Sequence, residues 1–119
     1  MSPARRVVVT GMGMVSAAGA GGAAAVADAL ARPMAGIAPI RGFDTAGLPS
    51  VLGAEVDDVL LETLIDRDAA RRLSRICRFS VAACRLAMED ARAEAGPRLG
   101  LVVGTEFGDF RTSGEFATA

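Results

Sequence analysis

Cys77 and Cys84 carry the side chains in this sequence best suited to nucleophilic attack, because a thiolate adds to carbonyl carbon and also binds soft metals. Such a role needs a base nearby, and the chain of 119 residues contains no histidine. Both cysteines fall on the apolar stripe of one helical pattern, so the sequence predicts two buried structural thiols. No catalytic residue is assigned to the chain. Gly11-x-Gly13 behind an apolar run could open a phosphate-cradling loop. That fingerprint also needs a third glycine at the right place and an acid at the end of the next strand. Val15 and Ser16 stand where the close-packing positions begin, Gly19 falls too late, and Glu55 is too distant to be the acid. A structural glycine turn is the simpler reading, with a Rossmann-type nucleotide-binding domain as an alternative. Arg67, Arg71, Arg72 and Arg75 gather where a helix should begin. Positive charge there opposes the helix macrodipole, a small cost that is easier to understand if a partner uses it. A solvated helix face would explain the same cluster. Asp28, Asp57, Asp58 and Glu62 show neither carboxylate pairing nor metal-ligand spacing. They read as surface charge, and no metal or cofactor is expected.

The elements that must hold these residues are readable from the apolar pattern. Val7-Val8-Val9-Thr10 runs without polar alternation into Gly11, as a strand covered on both faces does. The glycines then let the backbone turn where a Cβ would clash. Ala23 to Arg32 is a strong helix former stopped by Pro33. Met34 to Pro49 holds repeated Gly and Pro with no steady period and reads as a surface loop. Val51 to Val56 is a short strand, and Asp57 to Leu64 one or two helical turns. The longest helix starts at Asp66 or Asp68 and reaches about Ala95, where Gly96-Pro97 stops it. Its three-four stripe runs from Leu73 through Cys77 and Cys84 to Ala91. Leu99 to Gly104 is a second unbroken apolar strand with its own glycine turn.

Strand, helix, strand, helix, strand in this order indicates an α/β fold, a mainly parallel sheet with helices on its faces. The chain is 51% hydrophobic and shows no linker or internal repeat, so it reads as a single unit. Two strands that need cover on both faces exceed what two good helices supply, and the chain looks like the beginning of a larger fold. A net charge of −1 gives no reason to expect nucleic acid or an anionic membrane as partner. The apolar stretches are too short to span a bilayer, and Met1 to Thr10 lacks the order of a signal peptide. Two cysteines without a disulfide framework fit a reducing cytoplasm.

Residue identities say more than spacing. Arg5-Arg6-Val7-Val8-Val9-Thr10-Gly11-Met12-Gly13-Met14-Val15-Ser16 resembles the opening strand of the β-ketoacyl-acyl-carrier-protein synthases, the condensing enzymes of fatty-acid and polyketide synthesis. Gly42-Phe43-Asp44-Thr45 resembles an element of the loop after the family's first helix. Arg71-Arg72-Leu73-Ser74-Arg75 is similar to the start of its long helix, with Ser74 where Asp is usual, and Ala87-Met88-Glu89-Asp90-Ala91 to its end. Gly100-Leu101-Val102-Val103-Gly104-Thr105 is similar to the strand and glycine turn that follow.

The resemblance implies a thiolase-like fold of layered helix–sheet–helix–sheet–helix, of which residues 1–119 form an incomplete N-terminal portion. It implies decarboxylative Claisen condensation of an acyl thioester with malonyl thioester, both carried on acyl carrier protein. It also implies a homodimer or a ketosynthase-type heterodimer. The family's catalytic cysteine and two histidines lie further along than the segments matched here. By position, Arg67, Arg71 and Arg72 resemble the family's docking patch for acidic carrier protein. Phe107 matches a position that lines and gates the acyl pocket. The alternative from another class is a non-catalytic ketosynthase-like partner or truncated remnant.

Overall fold

Eight short elements follow the chain in the computed structural model, which describes residues 6–33, 36–106 and 108–109. The first two, β1 (Met14–Ser16) and β2 (Gly19–Gly21), pair as an antiparallel hairpin with Val15 opposite Ala20. Ser16 closes its turn: Oγ accepts from the Ala18 N–H at 3.2 Å and donates to the Gly19 carbonyl at 3.3 Å. Gly19 and Gly21 hold φ of 134° and 150°, a region open to glycine and closed to most other residues. Helix α1 (Ala23–Ala31) follows from its alanine run and stops before Pro33, as the composition predicts.

A second hairpin joins β3 (Ile37–Pro39) to β4 (Leu52–Ala54), with Ala38 opposite Gly53. The Ile40 N–H continues the ladder to the Val51 carbonyl at 2.9 Å. β4 falls inside the strand expected at 51–56, but β3 lies in the stretch read as loop. Pro39 disguises it. Proline lacks a ladder donor and is tolerated where a strand is an edge, as every strand of a two-stranded ribbon is.

Val7–Val9 and Leu99–Gly104 do not form the expected strands. Val7 is 94% exposed and Val102 97%, and neither segment pairs with another among the described residues. An unaccompanied extended segment leaves its N–H and C=O groups without partners, so apolar character alone cannot make a strand. Both sheets that do form among the described residues are antiparallel, where the element order points to parallel pairing.

Helix α2 (Asp58–Leu64) begins at Asp57, whose Oδ1 accepts from the Val59 N–H at 2.8 Å. Helix α3 (Arg67–Ala70) is capped the same way by Asp66, which accepts from Asp68 and Ala69. The long helix expected from Asp66 to Ala95 is therefore two helices, α3 and α4 (Arg75–Asp90). α3 ends at Ala70, and Ser74, whose ψ of 162° is extended, is the N-cap from which α4 starts. Arg78 steadies the break: its Nε donates to the carbonyls of Ala70 at 3.1 Å and Leu73 at 3.0 Å. α4 also stops earlier than expected. Arg92 adopts φ 51°, its N–H bonds the Glu89 carbonyl, and the Ala93 N–H reaches back to Met88. That pair of bonds is a Schellman ending, built here on arginine instead of glycine.

Leu61, Ile65 and Ala82 form the buried core, with Val15, Leu64, Ala70 and Phe79 packed against it. α4 thus turns Ala82 and Phe79 inward. Cys77, expected to be buried, is exposed, and Cys84 is only partly covered. The stripe read from sequence is rotated from the face that α2 meets, because the small residues at 83, 87 and 91 serve a different contact.

Candidate functional site

That contact belongs to Gly11 and Gly13. A Cβ on Gly11 would stand 2.5 Å from the Ala87 carbonyl oxygen and 2.7 Å from the Ala91 methyl. One on Gly13 would overlap the Ala83 carbonyl oxygen and stand 2.5 Å from the Ala87 nitrogen. Neither glycine has positive φ. They are glycines because backbone lies on backbone, the Gly11–Gly13 segment crossing the Ala83–Ala87–Ala91 row of α4. The expectation of a turn is corrected to close approach, and a helix flank occupies the side where a phosphate cradle would need space.

Asp90, which the sequence reading passed over, ties this crossing together. Its Oδ2 accepts from the Met12 N–H at 2.9 Å and its Oδ1 from the Ala23 N–H at 3.3 Å. α1 has Gly22 at its N-cap and no side-chain cap of its own. A carboxylate at its first turn satisfies a free donor and suits the positive end of the helix. The sequence signal was the missing cap, which shows the need for an acceptor without naming it.

The arginines divide by what they touch. Arg75 donates to the Val56 carbonyl at 2.8 Å, pairs with Asp58, and lies 5.1 Å from the Phe79 ring centroid. Arg85 donates to the Leu64 carbonyl at 3.1 Å, and Arg78 is held by the α3–α4 break. These three are structural. Arg67 on α3 and Arg72 in the turn after it make no ion pair or side-chain hydrogen bond among the described residues. Arg71 has only a loose pair with Asp68 at 3.9 Å, both side chains largely in water. The structure therefore brings the three sequence-selected arginines onto one short exposed stretch, with Arg67 and Arg72 unpaired among the described residues and Arg71 held only by its exposed pair with Asp68.

Arg67 and Arg71 also border a cleft of about 430 Å³ between α2 and α3, lined with Glu62, Ile65, Ala70 and Arg78. A larger recess of about 940 Å³ lies by β3 and β4. Its carboxylates are engaged: Glu55 accepts from the Arg41 and Gly42 N–H groups at 2.7 and 2.9 Å, Asp57 from the Val59 N–H, and Asp58 pairs with Arg75, while the Arg41 side chain makes no ion pair or hydrogen bond among the described residues. Phe107 lies outside the described residues. No group of three or more metal-ligating side chains is assembled among the described residues. No helix there is long and apolar enough to cross a membrane.

Comparison with known proteins agrees with the motifs. Residues 4–118 match the family described as Beta-ketoacyl synthase, N-terminal domain. The chain is 32% identical over 108 residues to the 3-oxoacyl-[acyl-carrier-protein] synthase 2 of Coxiella burnetii, covering 87% of this chain and 26% of that protein. The synthase of the same name from Synechocystis sp. is 32% identical over 114 residues, covering 90% and 26%. That of Staphylococcus aureus strain COL is 32% identical over 116 residues, covering 94% and 28%. No solved structure gives a significant match. The chain spans about a quarter of the length of the curated relatives it matches. With the match running from residue 4 through the glycine crossing, the arginine stretch and the apolar segment at 99–104 to residue 118, the chain belongs to the β-ketoacyl synthase family, in its N-terminal domain and with that domain's α/β fold.

Proposed function

We propose that this chain supplies the N-terminal part of a β-ketoacyl-acyl-carrier-protein synthase acting in fatty-acid or polyketide assembly. The observation that carries the reading is the family match over residues 4–118. In the complete protein, an acyl group passes from a carrier-protein thioester to a cysteine sulfur, and the carrier thiol leaves. Malonyl-carrier protein then loses CO2. The resulting carbanion attacks the acyl-enzyme carbonyl, expels the cysteine thiolate, and forms the β-ketoacyl-carrier protein. Two histidines hold the developing enolate oxygen. The cysteine and histidines belong to the family's later segments, and no residue of this chain is given a bond-making step.

What this chain contributes is a frame and two surfaces. In a thiolase-like layered fold, Val7–Val9 and Leu99–Gly104 become strands of a mainly parallel sheet, which would cover the side chains now exposed. Arg67, Arg71 and Arg72 dock the acidic carrier protein, a reading supported by their exposure and by the absence of any backbone hydrogen bond from their guanidinium groups among the described residues. Phe107 lines the acyl pocket. The complete enzyme is a cytoplasmic dimer. The test is to supply the complete protein with acyl- and malonyl-carrier protein and follow CO2 and β-ketoacyl product. Stoichiometric formation of both is expected. Intact malonyl-carrier protein after prolonged incubation with a folded enzyme would overturn the assignment.

A further inference from the structure

Ser74 carries the one hydroxyl between Arg67 and Arg75, and the residues ahead of it form a pattern that the docking reading does not use. Arg71-Arg72-Leu73-Ser74 places two guanidinium groups three and two residues before a serine. An arginine-directed protein kinase reads that spacing with acidic side chains, which grip guanidinium groups through charge-assisted hydrogen bonds. The structure keeps every part of the pattern available. Arg72 is exposed and unpaired among the described residues, and Arg71 has only its loose pair with Asp68. Ser74 is partly exposed, lies in the non-helical link between α3 and α4, and makes no side-chain hydrogen bond. The other described serines, Ser16, Ser50 and Ser80, each donate to a backbone carbonyl.

The helix that follows has a use for the added charge. α2 and α3 each begin at an aspartate that accepts from first-turn N–H groups. α4 has no side-chain bond from its N-cap Ser74 and no acid in its first turn. The N–H groups of Ile76 and Cys77 find no acceptor among the described residues. We propose that Ser74 is a phosphorylation site for an arginine-directed serine kinase, and that its phosphoryl group caps α4 and offsets the positive charge of Arg71 and Arg72. In the transfer, Ser74 Oγ attacks the γ-phosphorus of ATP, the bond to the leaving ADP oxygen breaks, and the hydroxyl proton passes to the catalytic aspartate of the kinase. Phosphoserine carries about −1.5 to −2 charge at pH 7 and three strong acceptor oxygens, which suit both the free N–H groups and the positive end of a helix. The site stands apart from the docking reading, and its test needs no carrier protein.

The experiment incubates the complete protein that carries this chain with magnesium ATP and the catalytic subunit of the cyclic-AMP-dependent kinase, an arginine-directed enzyme, and maps phosphopeptides by mass spectrometry. Phosphate is expected on Ser74 of the folded protein and absent from that peptide in Ser74→Ala, which removes no hydrogen bond seen here. Arg71→Ala with Arg72→Ala should slow the transfer by about tenfold or more, through the lost charge-assisted contacts to the kinase. In the phosphorylated protein, hydrogen exchange at the Ile76 and Cys77 amides should slow roughly three- to tenfold, as a new cap requires. The Val59 amide, already held by Asp57, serves as the unchanged reference. An unmodified Ser74 in folded protein, or equal modification without the two arginines, would overturn the site. Modification that adds no protection at Ile76 and Cys77 would overturn the cap. Circular dichroism on each variant separates lost recognition from lost fold.

Discussion

At the scale of single residues, Gly13 shows how a composition signal can be right about identity and wrong about reason. The sequence marks it as a turn glycine, yet its φ is not positive and its missing Cβ faces the Ala83 carbonyl on α4. The two readings predict opposite results. A turn at ordinary φ would accept alanine at little cost, whereas a backbone crossing must spread apart. Gly13→Ala in the complete protein should therefore lower stability by about 1–3 kcal/mol, the usual penalty of overpacking, as read from denaturant midpoints. A neutral effect would return the glycine to a turn. Phe107 poses a functional question of the same size. If it lines the acyl pocket, Phe107→Ala should shift preference among acyl chain lengths in the complete synthase without unfolding it. An unaltered substrate profile with a large loss of stability would make it ordinary core.

At the scale of elements, what sequence could reveal depended on whether the deciding interaction was local. α1 was legible because its alanine run and Pro33 act within a few residues. The break between α3 and α4 was not, since Leu73-Ser74 holds no glycine or proline and the break is fastened by Arg78 reaching back to Ala70 and Leu73. The covered face of α4 is legible only in part: Ala83, Ala87 and Ala91 of the expected stripe are covered, but Cys77 is not, and Ala82 and Phe79 of the core lie off it. Gly11 and Gly13 draw the alanine row toward themselves, which leaves Cys77 exposed and Ala82 with Phe79 facing α2. The arginine stretch was legible as a cluster, but only geometry separates Arg75, Arg78 and Arg85, tied to backbone carbonyls, from Arg67, Arg71 and Arg72, which are not. That separation makes a charge-reversal test clean. Arg71→Glu with Arg72→Glu removes no hydrogen bond that holds the fold. Together they should weaken carrier-protein binding by about 1–3 kcal/mol and act chiefly on the association rate. Equal affinity at low salt for the wild type and the double variant would remove the docking surface.

At the scale of the whole molecule, apolar area and core are out of balance. The radius of gyration is 17.5 Å, against about 13.5 Å expected for a compact domain of this length. Only Leu61, Ile65 and Ala82 are buried hydrophobics among the described residues, while Val7, Val8, Val9, Leu101 and Val102 are each at least 69% exposed. Burying one such side chain fully is worth about 1.5–3 kcal/mol, and residues 1–119 alone do not collect it. The apolar runs at 7–9 and 99–103 therefore call for a second surface, such as the neighbouring strands and helices of a complete synthase would provide. Expressed by themselves, residues 1–119 should self-associate or remain loosely packed, with no sharp thermal transition. They should also fail to decarboxylate malonyl-carrier protein, because the chain has no histidine to hold an enolate or to activate Cys77 or Cys84. The two claims are tested separately on one preparation. A cooperative unfolding transition from a monomer in sedimentation would refute the packing argument, and turnover above the buffer rate would refute the chemical one.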